Sequence, residues 1–179
     1  TYDNNNYLTI GSQLNRLHYN GWAFHNNDYT YYDRNKTHNN LGYSHGFMGD
    51  GNGMEQYVQK EWPQSDLEMM EGTVPMYIDE QPFNVYYMTV SGHNGYSKNA
   101  NAMTKKNWDR VSDLPYSDEV KGYLAANMEL EDALTYLVNA LEEKGIADDT
   151  VIVLGADHFP YGLDYNASLG NMPYLSELY

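Results

Sequence analysis

The chain has 179 residues, about the length of one domain and enough to bury a core. Its 10 Lys and Arg against 25 Asp and Glu give a formal charge of −15, which argues against nucleic acid or an anionic membrane surface as a partner, since both demand a basic face. With no cysteine there is no disulfide framework or thiolate site, and no run of about 18 apolar residues reads as a membrane span. Opening at Thr1 and stopping at Tyr179 within a pattern, the sequence reads as a single partial domain excised from something longer.

In chain order, Ile10, Leu14 and Leu17 recur at helical spacing, and Gly21 breaks into a short apolar strand, Trp22-Ala23-Phe24-His25. Tyr31 to Leu41 reads as a short helix closed by Gly42, and Gly49 to Gly53 as a loop. Ser65 and Glu68 form a capping-box start for a helix carrying Leu67, Met70 and Val74, with Gly72 and Pro75 confusing its end. Pro82 leads into Phe83 to Val90, rich in β-formers, followed by Ser91-Gly92-His93. The longest helix starts at Ser117, with Asp118 and Glu119 in its first turn. It carries an apolar stripe of Val120, Leu124, Leu130, Leu134, Leu137, Val138 and Leu141, and Gly145 stops it. Thr150 to Leu154 then reads as a buried central strand of a parallel sheet, running out into Asp157 and His158. The class is α/β, a mostly parallel sheet flanked by helices.

Three expected strand ends thus carry His25, His93 and the pair Asp157-His158, with Arg34 shortly after the first. A carboxylate oxygen and an imidazole nitrogen suit a divalent ion such as Zn²⁺ or Mn²⁺, although a loop Asp beside a surface His reads the same way. The guanidinium fork of Arg34 matches phosphate or sulfate bidentately. His18, His38 and His45 read as ordinary surface or core histidines. The 19 Tyr against 4 Phe furnish flat hydrogen-bonding area, as on a sugar-binding surface or in a Tyr-rich core with a wet rim.

The order His25-Asn26-Asn27-Asp28-Tyr29-Thr30-Tyr31-Tyr32-Asp33-Arg34, then Thr89-Val90-Ser91-Gly92-His93, then Thr150 to His158 resembles the extracellular catalytic domain of lipoteichoic acid synthases and related phosphoglycerol transferases, of the sulfatase branch of the alkaline phosphatase superfamily. The resemblance spans about Tyr2 to Leu163. It implies that Asp157 and His158 bind a divalent metal, usually Mn²⁺, with Mg²⁺ and Zn²⁺ as alternatives. It also implies that His25, Asn27, Tyr32, Arg34 and His93 contact an anionic glycerol-phosphate or sulfate ester, with His93 also assisting proton transfer. Three positions depart from the pattern: Asn27 stands where an acid is usual, Tyr32 where Trp is usual, and His93-Asn94-Gly95-Tyr96 where His-x-Pro-Tyr/Phe is usual.

The nucleophilic Thr and the first acidic metal ligand of such enzymes precede the matching region, so the chain is expected to be the C-terminal portion of the catalytic domain, inactive alone. Its membrane attachment, at the outer face of a bacterial cell, is expected through a part outside the chain, and the incomplete sheet leaves room for edge-paired oligomers. The expected function is metal-dependent phosphoglycerol transfer. A sulfatase- or phosphatase-type hydrolase is the alternative within the superfamily, and a non-catalytic carbohydrate-binding module the alternative from another class.

Overall fold

The computed structural model of the protein describes residues 8–158, 160, 161 and 163. The termini at Thr1 and Tyr179, on which the reading as an excised domain turns, lie outside the described residues. Thr9 caps the first helix, α1 (Ile10–Asn15), by accepting from the Ser12 amide and donating to the Leu41 carbonyl at 2.6 Å. The helix stops short of Leu17 because the chain turns through His18 at a φ of 64°.

Strand β1 (Asn20–Asp28) is longer than its apolar run suggests and is buried from Gly21 to Asn26. A 3-10 turn at Tyr31–Asp33, the short α2 (Arg34–Thr37) and a second 3-10 turn at His38–Asn40 replace the single helix expected there. The expected loop at Gly49 is instead part of strand β2 (Phe47–Asp50). A Cβ at Gly49 would come within 2.9 Å of the Tyr29 Cα, so this glycine marks close approach of two backbones and not a turn.

Helix α3 (Asp66–Tyr77) begins as expected, with Ser65 accepting from the Glu68 amide, but runs straight through Gly72 and Pro75. Pro75 withholds a hydrogen bond only from the carbonyl of Glu71, which lies on the exposed side, and a Cβ at Gly72 would meet the Tyr57 ring at 2.5 Å. The Glu68 side chain does not close a capping box; it accepts from the Gln59 amide and side chain instead. Strand β3 (Phe83–Met88) follows, then an unanticipated helix α4 (Ala102–Asn107), whose cap is Asn101.

The long helix α5 (Asp118–Glu143) is capped by Ser117 and packs on α3 and α4. Small residues line this contact: Gly122, Ala125, Ala126 and Ala133 are buried together with Leu137, Leu141 and Glu129. Of the expected stripe, Val120, Leu137 and Leu141 are buried, Leu124, Leu130 and Leu134 are half-buried, and Val138 is exposed.

The three strands form one parallel sheet in the order β2-β1-β3, with Asn20 opposite Phe83 and His25 opposite Met88. Helices flank it, and the core gathers Trp22 and Phe24 of β1, Met69, Val74 and Tyr77 of α3, and Leu137 and Leu141 of α5. Tyrosine belongs partly to that core: the Thr73 and Tyr87 hydroxyls lie 2.7 Å apart and Tyr87 donates to the Tyr77 hydroxyl at 3.2 Å, so the polar tips are satisfied inside.

The expected central strand at Thr150 to Leu154 does not form. Val151, Ile152, Val153 and Leu154 are 86, 42, 86 and 68% exposed and pair with none of the three strands. A ladder needs a neighbour within about 5 Å, and a groove of about 1490 Å³ separates this segment from β3. No helix among the described residues is long and apolar enough to cross a membrane.

Candidate functional site

Parallel pairing brings the C-terminal ends of β1 and β3 together, and chemistry on an open parallel sheet collects at that edge. His25 lies inside β1, three residues before its end, and is buried. Its Nδ1 sits 2.8 Å from the Met88 carbonyl, which can only accept, so the ring proton is on Nδ1 and Nε2 carries the lone pair. That lone pair faces the Arg34 guanidinium at 3.4 Å. Burial lowers the His25 pKa to about 4, with the Arg34 charge adding to the effect and the Met88 carbonyl opposing it. His25 is therefore a neutral, fixed acceptor that orients a cation.

The loop after β1 is built to return Arg34 to this place. The Asp28 carboxylate accepts from the Thr30 amide and hydroxyl at 2.6 and 2.7 Å and from the Tyr31 amide at 3.1 Å, and the Thr30 bonds hold its carboxyl below the ordinary range. Tyr32 and Asp33 then adopt φ of 56° and 55°, two consecutive left-handed residues without glycine, a conformation kept where the surroundings enforce it and often at functional sites. The guanidinium lies over both Tyr31 and Tyr32, 5.5 and 5.4 Å from their ring centroids. Asn27 turns its side-chain oxygen to the Asp28 amide at 2.7 Å.

His93 lies beyond β3 on an exposed turn closed by its own amide on the Val90 carbonyl at 2.9 Å. Its ring meets the Trp62 ring edge-on at 4.9 Å, and its carbonyl accepts from Asn101 at 2.9 Å. Neither Trp62 nor Asn101 was legible as a site residue, because each is brought to His93 by contacts distant in sequence.

Arg34, His93, Asp157 and His158 line one groove, whose floor is β3. The Tyr86 hydroxyl in that floor feels the Arg34 and Asp157 charges together, after burial, which raises its pKa most. Asp157 and His158 are exposed, with the carboxylate 3.7 Å from the imidazole Nε2. Their donor atoms suit a divalent ion, but among the described residues no group of three or more such ligands exists, short of the four a closed zinc site uses. His18 and His45 do not line the groove, and His45 stacks on Trp22; His38 packs on Phe47 and Tyr86 beside the site, where burial and then the Arg34 charge lower its pKa.

A family model described as Sulfatase matches residues 2–177. The chain belongs to the sulfatase family. Within that family it is 21% identical over 173 residues to lipoteichoic acid synthase 2 of Bacillus subtilis (strain 168), covering 94% of this chain and 25% of the relative. The crystal structure of the lipoteichoic acid synthase LtaP from Listeria monocytogenes shares the fold, with a TM-score of 0.59 at 20% identity over 87% of this chain and 40% of that one. This sulfatase-family chain thus spans a quarter of the curated relative's length and two fifths of the solved one's. Membership of an enzyme family displaces the carbohydrate-binding-module reading.

Proposed function

We propose that the chain is the ester-recognising part of a phosphoglycerol-transferase-like sulfatase-family enzyme, with Arg34 and His93 taking an anionic glycerol-phosphate group in the groove. The observation that carries this is the oriented guanidinium: Arg34 is backed by the neutral Nε2 of His25 and braced over Tyr31 and Tyr32. A fixed fork of donors beside a groove suits two oxygens of a phosphodiester better than a diffuse positive patch would. Tyr32 contributes an aromatic face there, and Asn27 sets the approach of the loop.

His93 stands at the exposed rim, where an imidazole can pass a proton to a leaving or attacking oxygen. Asp157 and His158 are proposed as part of a manganese site completed by groups beyond the described residues. Such an ion, when bound, neutralises charge on a phosphoryl oxygen. The groove, about 1490 Å³, has room for a bulky acceptor beside the ester. The location proposed with this role is the outer face of a bacterial membrane.

Calorimetry with glycerol 1-phosphate tests the reading. Arg34→Lys keeps the charge but loses the fork, and is expected to weaken binding about tenfold, the worth of one charge-assisted hydrogen bond. Equal affinities for the two proteins, or no binding by either, would contradict it.

A further inference from the structure

Between the ends of β1 and β3 lies a carboxylate that no role above uses. Asp66, the first residue of α3, has no exposed surface. Its Oδ1 accepts from the Val90 amide at 2.9 Å and from the side-chain amide of Asn26 at 2.8 Å. The Ser91 amide is shared between both carboxylate oxygens at 3.3 Å, and the Ser91 hydroxyl donates to Oδ2. Asn26 directly follows His25, and Val90 and Ser91 open the turn that ends in His93. One buried group therefore grips the backbone of one strand end and the side chain of the other.

The surroundings of Asp66 are themselves fixed. Ser65, its neighbour, caps α3 and donates to the buried Glu129 of α5, which also receives Lys106 at 2.8 Å and Asn107 at 3.2 Å. The carboxylate is thus mounted on a helix held to α4 and α5, and the strand ends are hung from it. Burying a carboxylate is costly unless its oxygens are satisfied, and these donors are what offset that cost.

We propose that Asp66 is a positioning residue: its carboxylate ties Asn26 of β1 to the Val90-Ser91 turn after β3 and so sets the separation of His25 and His93 across the site. Given the role proposed above for His93, losing that tie misplaces the imidazole at the groove rim while leaving the sheet and helices formed.

The test is nuclear magnetic resonance on the full chain, reading the His93 ring resonances and amide exchange at Val90 and Ser91 against Leu137 and Leu141 of α5. Asp66→Ala is expected to lower protection at Val90 and Ser91 about tenfold or more relative to α5 and to shift the His93 ring signal. Asp66→Asn keeps one acceptor oxygen, and Ser91 can reverse its hydroxyl to accept, so this variant is expected to fall between wild type and Asp66→Ala. Ser91→Ala removes a single donor and is expected to move the His93 signal in the same direction by less. Should Asp66→Ala fail to fold, the other two variants decide. Wild-type signals at His93, Val90 and Ser91 in both, or losses spread equally over α5, would overturn the proposal. Failure of wild-type protein to bind glycerol 1-phosphate would count against the proposed function alone, since these readouts need no ligand.

Discussion

The His25 imidazole titrates near pH 4 in the fold but at 6.5 when unperturbed, chiefly because burial disfavours its charged form. As pH falls below 6.5 the unfolded chain takes up this proton first, so the unfolded state binds more protons between pH 6.5 and 4. Stability is then full above that window and falls through it, by at most about 3 kcal/mol from this residue. Urea unfolding at pH 7.5 and pH 4.5 is expected to show a larger acid loss for wild type than for His25→Asn. Parallel losses in the two proteins would show that His25 does not carry the effect. Periodicity did not show that His25 and Arg34 meet, and only the motif singled them out. Their pairing depends on Met88 from β3 and on two consecutive left-handed residues, Tyr32 and Asp33, of which only Asp is a type enriched there.

Among the elements, α5 was legible in its extent and less so in its contacts. Its caps and length follow from Ser117 and Gly145, but the buried face adds Gly122, Ala125, Ala126 and Ala133 to Leu137 and Leu141, small residues that a search for leucine stripes passes over. Gly122 lies so close to the Tyr96 backbone that an added Cβ would come within 2.1 Å of its carbonyl oxygen. Helix propensity alone favours Gly122→Ala by about 1 kcal/mol. A backbone clash cannot be relieved by turning a side chain, so overpacking of about 3 kcal/mol is expected to win and the net change to be destabilising by about 2 kcal/mol. A urea midpoint equal to or above wild type would contradict the close approach. Strand β2 and helix α4 were missed because each is short: four residues around a packing glycine, and six in an Asn-rich stretch.

At the scale of the whole molecule, the parallel sheet and its flanking helices were readable from the sequence, whereas the third site-bearing strand expected at Thr150 to Leu154 does not form. The run Val151 to Leu154 has the composition of a buried strand and lies exposed across the groove from β3, because pairing depends on a neighbour that composition cannot report. What joins the separate motifs is that groove, which brings Arg34, His93, Asp157 and His158 to one opening despite the wide sequence spacing. We propose that this opening recognises an anionic glycerol-phosphate group. The most direct measurement is a titration of the full chain with glycerol 1-phosphate, followed through the ring resonances of all six histidines and the guanidinium resonance of Arg34. Saturable shifts are expected at Arg34, His25 and His93, with His18 and His45 still. Shifts confined to His18 and His45, or none at any ester concentration, would contradict it.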